Sequence, residues 1–300
     1  MIPENSVFVL NWMGARDAGI FRKHGIDLEV DTRPFAGFLA ALPARQCMVA
    51  TYSGIDAVLK MNQGFDLAVI GGGLTVIQDI FVSKESTIKT VSDLRGKRLG
   101  VWSTGAGAFK AARAAIIDGA GLDIMKDTKM VQLAPPALFK MLENRSIDAM
   151  INISSFTIQA ASQPDKFRSI FSPNEYWKTK TGSPIVWAAP LVAWKSWIYE
   201  NPARAANFAA AAEESFQWLR EPQNLDAAVQ KYGTLAGVTT PAAVATYKKW
   251  LGEKRIFLAR WDQKVVDAEW QFLDMAKRNG VLEEVPAKEK HALILGDTKG

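Results

Sequence analysis

The stretch DLRGKRLGVWSTGAGAF, residues 93–109, predicts a strand that runs into a helix through a glycine-rich turn. Residues 98–102 form a short apolar run, and an alanine-rich helix follows over residues 106–118. A dinucleotide-binding turn would need a third glycine, and an acidic residue at the end of the next strand. Lys110 stands at the glycine position, the strand at 129–133 ends without an acid, and no GK[ST] is present. The pattern therefore indicates either a helix N-terminus that suits an anion, such as a carboxylate or sulfonate, or a plain capped turn.

Strands and helices alternate on both sides of this stretch, which predicts an α/β protein with two series of parallel strands. The first series has strands at 7–10, 27–31, 47–50 and 66–70, with helices at 14–24, from 37, and at 55–62 with Ser53 as cap. The glycines at 71–73 follow its last strand. The second series has strands at 80–83, 98–102, 129–133 and 149–153, with helices at 106–118, 136–143 and from 155.

The remaining third of the chain is predicted to be one strand followed by helices. Residues 184–193 are strand-like, and the chain is nearly all helical from Pro202 onward. Four tryptophans in these helices have apolar neighbours at helical spacing and are interpreted as core: Trp218, Trp250, Trp261 and Trp270. The chain would cross between its two series near residues 78–81 and 186–190, so we expect two lobes, a hinge and a cleft. The predicted lobes are 1–78 with 190–300, and 79–189.

Composition excludes several classes of protein. Of the 300 residues, 48% are hydrophobic and 22% charged, and no apolar run approaches the roughly 20 residues of a membrane-spanning helix. The net charge of +5 is spread among 31 acidic residues without basic blocks, which argues against a nucleic-acid partner. The single cysteine, Cys47, excludes an internal disulfide and a multi-cysteine metal site, and is interpreted as a small buried hydrophobe.

Few residues could support catalysis. The two histidines, His24 and His291, do not stand at predicted strand ends, and no Ser-His-Asp or HExxH pattern is present. Asp17 and Asp56 lie within predicted helices, where they would face solvent or cap neighbours. The sequence therefore favours a binding protein without cofactor or metal.

Candidate ligand contacts stand where predicted strands end, because parallel strands end at one edge of their sheet. Trp12 would stack on a ligand, and the hydroxyls near residues 51–53 and 103–104 would donate hydrogen bonds at helix N-termini. The candidates are Asn11, Trp12, Phe35, Gly37, Thr51, Tyr52, Ser53, Gly72, Gly73, Ser103, Thr104, Gly105, Ala106, Ser154 and Trp187.

Several candidates have an equally simple structural interpretation. Asn11 could hold a turn, Phe35 could belong to the core, and Trp187 could pack in the hinge. Gly72 and Gly73 permit either close backbone approach or a hinge. The residues around Ser53 could be plain helix caps.

Four segments resemble a known family. STIKTVSDLRGKRLGV (86–101), GIFRKHGIDLEV (19–30), LENRSIDAMI (142–151) and FLDMAKRNGVLEEVP (272–286) are similar to segments of type II periplasmic solute-binding proteins of the nitrate, sulfonate, taurine and thiamine-precursor branch. The resemblance spans nearly the whole chain. It implies a two-lobed α/β fold, each lobe a mainly parallel sheet flanked by helices, with a helical C-terminal segment.

The same resemblance implies a function. Such a receptor closes on a small molecule and delivers it to an ABC transporter permease, and is expected to act as a periplasmic monomer. The opening residues MIPENSVFVL have no signal-peptide pattern, so either the protein is cytosolic or an export signal has been removed; the resemblance favours the second. The apolar strand ends WMGA, FAGF and ATYSG carry no Arg or Lys, which favours an organic anion over a bare inorganic oxyanion. The alternative is an enzyme on this fold, similar to menaquinone-pathway dehydratases or to the thiamine-pyrimidine synthase, whose cysteine-rich motif and histidines are absent from this sequence.

Overall fold

A computed structural model describes residues 1–183, 187–253, 255–257 and 260–296. The strands are β1 (Ile2–Pro3), β2 (Thr32–Arg33), β3 (Val49–Thr51), β4 (Leu67–Thr75), β5 (Ile80–Ser83), β6 (Arg98–Val101), β7 (Lys129–Gln132), β8 (Ala149–Ile151), β9 (Phe167–Phe171) and β10 (Trp187–Trp194). The helices up to the end of β9 are α1 (Phe8–Asp17), α2 (Ile20–Lys23), α3 (Phe35–Ala41), α4 (Gly54–Asn62), α5 (Gly107–Ala120), α6 (Ile124–Asp127), α7 (Pro135–Glu143) and α8 (Ser154–Ala161). They are followed by α9 (Pro173–Thr181), α10 (Lys195–Glu200), α11 (Pro202–Trp218), α12 (Pro222–Ala236), α13 (Pro241–Gly252), α14 (Gln263–Arg278) and α15 (Lys288–His291).

Two sheets organise the chain and confirm the predicted α/β class. The first has the order β3-β10-β4, and its central strand β10 runs antiparallel to both neighbours, so the expectation of a mainly parallel sheet is wrong for this sheet. The second has the order β7-β6-β8-β5-β9, in which β6 is parallel to β7 and β8 while β5 is antiparallel to β8 and β9. We call the parts built on the first and second sheets lobe 1 and lobe 2. The division at 78/79 and 189/190 stays a prediction.

Lobe 2 follows its predicted elements closely. Strands β5, β6, β7 and β8 and helices α5, α7 and α8 begin and end within a few residues of the predicted bounds. Gly100 in β6 allows close packing, because a Cβ there would lie 2.5 Å from the end of the Ile147 side chain and 2.8 Å from that of Leu138. One apolar core, which includes Leu99, Val101 and Ile116, fills the space between this sheet and its helices.

The predicted strand at 7–10 is wrong, because these residues belong to α1. Every residue from Phe8 to Trp12 is buried, since α1 packs against α2, α11 and α12. A continuous apolar run fits a buried helix as well as a buried strand, and periodicity cannot separate the two. The helix predicted over 14–24 is accordingly divided between α1 and α2, with a break at Gly19, whose φ is 78°.

The predicted strand at 27–31 is also wrong, although a two-residue strand, β2, follows it. Ile2 donates its backbone N–H to the carbonyl of Asp31, and β1 pairs in parallel with β2. A cavity of about 580 Å³ is lined by residues 26–30 and by residues 47–51. The segment therefore does not join the β3-β10-β4 sheet.

Glycines 71–73 lie within β4, so the prediction that the strand ends before them is wrong. A Cβ on Gly73 would lie 2.0 Å from the carbonyl oxygen of Ala189 in β10, which shows how closely the two backbones approach. The ladder between β4 and β10 has register shifts in this region. Of the last predicted strand, residues 187–193 belong to β10, and 184–186 lie outside the described residues.

The C-terminal helices pack on lobe 1, and two of them also contact lobe 2, since α13 meets α8 and α14 meets α5. Trp250, Trp261 and Trp270 are buried, and Trp218 is partly buried against the same core. Cys47 is only half-buried and lines the 580 Å³ cavity, so the prediction of a buried hydrophobe is only partly correct. Among the described helices, none combines the length and apolar character needed to span a membrane.

Candidate functional site

A small cavity of about 60 Å³ lies between the two lobes. Its walls come from the ends of β3 and β6 and from the first turns of α3, α4, α5 and α8. It is lined by Pro3, Ser6, Phe8, Phe35, Phe38, Leu39, Thr51, Ser53, Asp56, Leu74, Gln78, Trp102, Ala106, Gly107, Ala108, Ile153, Ser154 and Ala189. Helix N-termini from both lobes thus converge on one space.

Lobe 1 contributes the turn from β3 into α4. Thr51 ends the strand, and Ser53 caps the helix by accepting the backbone N–H of Asp56 at 2.9 Å. Because Ser53 and Asp56 stand at the N-cap and third helical position, both side chains remain beside the first turn of α4. The sequence therefore places a hydroxyl and a carboxylate on the same helix end.

Lobe 2 contributes the turn from β6 into α5. Trp102 directly follows the strand, and Ala106 is the N-cap of the 14-residue helix. Alanine cannot cap a helix, and the structure shows no side-chain hydrogen bond to this end. The first N–H groups of α5, at Gly107 and Ala108, have no intrahelical partner by their position, and both residues line the cavity.

Two buried polar atoms at this cavity lack a hydrogen-bond partner among the described residues. They are the Thr51 hydroxyl and the indole Nε1 of Trp102, in side chains that are 4% and 8% exposed. A buried donor without a partner costs about 1–3 kcal/mol relative to one that is bonded. Both atoms can therefore gain a hydrogen bond from an acceptor placed in the cavity.

A charged pair closes one side of the cavity. Lys110, one turn into α5, donates to Asp56 Oδ1 at 2.6 Å, and the two side chains are 22% and 8% exposed. The prediction that Asp56 faces solvent or caps a neighbour is thus wrong, because α5 of lobe 2 covers the start of α4. Close packing here depends on Gly107, where a Cβ would lie 1.6 Å from Ser53 Oγ.

Five predicted ligand contacts line this cavity: Phe35, Thr51, Ser53, Ala106 and Ser154. The others do not line it: Asn11, Trp12, Gly37, Tyr52, Gly72, Gly73, Ser103, Thr104, Gly105 and Trp187. Asn11 is fully buried and donates to Ser215 Oγ at 3.0 Å, and Tyr52 donates to the Leu39 carbonyl at 2.7 Å. Thr104 donates to Gln132, while Gly105 is exposed.

Trp12 does not lie at a strand end, because its segment is helical. Its ring stacks on Phe21 at 5.3 Å and on Phe208 at 5.8 Å between centroids. It also lines the 580 Å³ cavity of lobe 1, together with Cys47, Arg204 and Phe208. A role for Trp12 in ligand contact stays a prediction, and it would concern that second cavity.

Other titratable groups near the site have structural partners. Glu269 of α14 is buried beside the first turn of α4, where a Cβ on Gly54 would lie 1.9 Å from its Oε1. Burial raises the pKa of Glu269 to about 8, although the Trp187 backbone N–H donates to it and opposes the shift. His24 contacts Glu214 at 2.8 Å, and His291 contacts the Leu67 carbonyl at 2.9 Å. The described part of the chain has no metal-binding group of three or more His, Cys, Asp or Glu.

Sequence reasoning missed three of the polar residues at the site. Trp102 directly follows a correctly predicted strand, and its position at the strand end is a signal that could have identified it. Asp56 follows the predicted cap Ser53 by three residues, a spacing that keeps its side chain at the helix end. Lys110 gave no such signal, because its contact with Asp56 depends on how the lobes meet.

Comparison with known proteins identifies the family. A family model described as NMT1/THI5 like matches residues 9–224, well over half of the chain. The chain belongs to the NMT1/THI5-like family. A search of curated protein sequences finds no match.

Solved structures share the fold of this NMT1/THI5-like chain. The periplasmic aliphatic sulphonate-binding protein SsuA from Escherichia coli is 17% identical with a TM-score of 0.71, and the match covers 100% of this chain and 92% of that one. The alkanesulfonate-binding protein SsuA from Xanthomonas axonopodis pv. citri, bound to MOPS, is 15% identical with a TM-score of 0.70, over 96% and 93% of the two chains. The desulfurization enzyme DSZB is 14% identical with a TM-score of 0.61, over 98% and 96%.

Proposed function

We propose that this protein is a solute-binding receptor that captures a small organic anion between its lobes and delivers it to an ABC importer. The anion is a carboxylate or a sulfonate, and its body can be aromatic. In this proposal residues 1–78 with 190–300 form one rigid lobe and 79–189 the other. The protein acts as a periplasmic monomer, with the transporter permease as its partner and no nucleic acid involved.

One observation carries the proposal: Thr51 Oγ1 and Trp102 Nε1 are buried, without a partner in the described chain, at a cavity beside the N-terminus of α5. The first N–H groups of α5 add a positive end that favours an anion. An acid could thus accept hydrogen bonds from both lobes at once. An anionic ligand would then stabilise the closed arrangement of the lobes.

The functions of the structural neighbours support the receptor class. Two SsuA proteins of the same fold bind sulfonates, and one contains MOPS. The neighbour DSZB is an enzyme, so the fold also accommodates chemistry. In this chain the cavity is lined by a single titratable side chain, Asp56, which is already paired with Lys110. The arrangement favours binding without turnover.

The size of the cavity implies movement. Sites for organic ligands typically enclose about 300–1,000 Å³, whereas this cavity has about 60 Å³. In this proposal an organic anion enters only when the lobes separate, and the described arrangement is taken as the closed one. A hinge at the two crossings of the chain would permit this.

A ligand screen followed by titration tests the proposal. Alkanesulfonates, aromatic carboxylates and pyrimidines are screened by thermal shift, because a ligand at 100 times its Kd adds about 2.7 kcal/mol to the free energy of unfolding. We expect hits among the acids and none among their neutral amides. Stabilisation by amides as strong as by acids, or by no compound at all, would contradict the proposal.

Two variants then locate the bound acid. Thr51→Val and Trp102→Phe each remove one unpartnered donor while keeping a similar shape. Each should lower the affinity for the acid about tenfold. Thr246→Val is the matched control, because that hydroxyl lies on α13, does not line the cavity, and donates to the Ala242 carbonyl. Wild-type affinity in both site variants would place the ligand elsewhere.

A further inference from the structure

Asp56 occupies the position in which an anionic ligand would be expected. The residue is 6% exposed, lines the interlobe cavity and belongs to lobe 1, while its cationic partner Lys110 belongs to lobe 2. The other carboxylate Oδ2 lies against the first turn of α5, only 2.5 Å from where a Cβ of Gly107 would stand. A carboxylate of the protein thus pairs with Lys110 and lies beside the N-terminus of α5, the two groups that would attract the carboxylate or sulfonate of a ligand.

The surrounding charges explain why a carboxylate is stable at this point. The N-termini of α4 and α5 approach each other here, and each behaves roughly as a half positive charge. Two such ends repel one another, so a negative group between them is stabilising. With Lys110 the site then carries roughly one net positive charge, since Asp56 is the only charged side chain in the cavity lining.

The site also has unused binding capacity. Thr51 Oγ1 and Trp102 Nε1 find no partner among the described residues, although each side chain is more than nine-tenths buried. Asp56 therefore pairs with Lys110 and lies beside the helix ends, but it leaves these two donors free. A ligand oxygen could bond to them and occupy the α5 end as well.

Building on the proposed function, we propose that Asp56 is an internal substitute for the ligand and selects singly charged anions. Without ligand, its carboxylate holds the lobes together through Lys110 and the N-terminus of α5. When the lobes open, Lys110 separates from Asp56. The anionic group of the ligand then binds Lys110 and the N-terminus of α5 in place of Asp56. No covalent bond is made or broken in this exchange.

Asp56 would select ligands by their charge, because its carboxylate remains in the site when the ligand binds. It stays on α4 beside the bound anion, and its negative charge opposes any second charge on the ligand. Juxtaposed like charges in a water-poor site are strongly unfavourable. A sulfonate or carboxylate with one charge is therefore accepted, while an otherwise similar dianion is rejected.

The first experiment needs no ligand. Asp56→Asn and Lys110→Gln each break the interlobe pair, and we expect both to increase the radius of gyration of the ligand-free protein in small-angle scattering. Lys140→Gln is the control, since it breaks the exposed Lys140–Glu143 pair within α7. An unchanged radius in both site variants would overturn the proposed closing contact, whether or not any anion binds.

The second experiment measures affinity for butanesulfonate, benzoate and their doubly charged counterparts, butane-1,4-disulfonate and phthalate, by calorimetry. Asp56→Asn should raise the affinity for the monoanions about tenfold and reduce the difference in affinity between monoanions and dianions. Lys110→Gln should lower the affinity for the monoanions about tenfold. Weaker monoanion binding in Asp56→Asn would overturn the exchange and would assign Asp56 to a cationic part of the ligand.

The two experiments separate the two proposals. If the wild type binds none of these anions and the screen of acids also fails, the proposed function fails, while the scattering result still decides the closing contact. If the wild type binds them and Asp56→Asn does not bind monoanions more tightly, only the role of Asp56 fails.

Discussion

Gly107 determines how closely the two lobes approach each other. It is the first residue of α5, and a side chain there would overlap Ser53 and Asp56 at the start of α4. The absence of a Cβ lets an interlobe ion pair form in a site of low exposure. A single hydrogen atom in place of a methyl group thus permits the closed arrangement.

We expect Gly107→Ala to lower the free energy of unfolding by about 1–3 kcal/mol, the usual effect of overpacking a dense interface. Gly105→Ala is the control, because a Cβ at that exposed turn would meet only Ser103 Oγ at 3.4 Å. Denaturant unfolding of the two variants checks the prediction. Equal stability of Gly107→Ala and Gly105→Ala would show that α4 and α5 do not meet as described.

Glu269 makes stability depend on pH. Its pKa is raised by burial from 4.5 to about 8, so between these values the folded protein keeps a proton that the unfolded chain loses. Unfolding then releases a proton, and the free energy of unfolding falls as pH rises. Relative to that of Glu269→Gln, the free energy of unfolding of the wild type should fall by about 2–4 kcal/mol between pH 5 and pH 8.

Denaturant unfolding at both pH values measures this difference, with Asp274→Asn, an exposed acid on the same helix, as control. A stability difference between wild type and Glu269→Gln that does not change with pH would contradict the assignment.

At the scale of elements, β4 depends on a close approach to β10. A Cβ on Gly73 would lie 2.0 Å from a backbone oxygen, which cannot move aside as a flexible side chain can. Gly73→Ala should therefore lower the free energy of unfolding by about 2 kcal/mol or more. Gly252→Ala, at a helical position with no atom near the new Cβ, should be neutral or slightly stabilising. Chemical denaturation measures the free energy of unfolding of both variants. Equal changes in Gly73→Ala and Gly252→Ala would contradict the close approach of β4 to β10.

Elements with a clear boundary signal were predictable. The strand and helix around residues 98–118 have an apolar run, glycines and then alanines, and β6 and α5 follow that pattern. The first turn of α4 was likewise predictable from Ser53 as cap. The structure of residues 7–10 was not predictable, because a continuous apolar run has no periodicity that distinguishes a strand from a helix. Residues 27–31 alternate as a strand should, but an alternating pattern does not provide a pairing partner.

The site was only partly predictable for a similar reason. Thr51, Ser53, Ala106 and Ser154 could be found because they stand at the junctions of correctly predicted strands and helices. Lys110 could not, because its contact joins residues 54 positions apart in different lobes. Trp12 was misplaced because its helix was read as a strand. Long-range contacts of this kind follow from tertiary packing, which local patterns do not encode.

At the scale of the whole molecule, two cavities compete for the role of ligand site. The interlobe cavity is small, about 60 Å³, whereas the cavity in lobe 1 is large, about 580 Å³. Both are lined by Thr51, and each has one unpartnered indole N–H, that of Trp102 between the lobes and that of Trp12 in lobe 1. Size alone would favour the cavity in lobe 1 as the ligand site. Lobe movement and the N-terminus of α5 favour the interlobe cavity, because only that cavity is lined by residues of both lobes.

The most direct test follows the indole N–H signals of the tryptophans by nuclear magnetic resonance while the tightest-binding acid from the screen is added. Trp102→Phe and Trp12→Phe assign the two decisive signals, and the Trp261 N–H, bonded to the Leu293 carbonyl, is the internal control. We predict a saturable shift of the Trp102 signal, with the Trp12 and Trp261 signals unchanged. A shift of the Trp12 signal with the Trp102 signal unchanged would place the ligand in the lobe 1 cavity and contradict binding between the lobes.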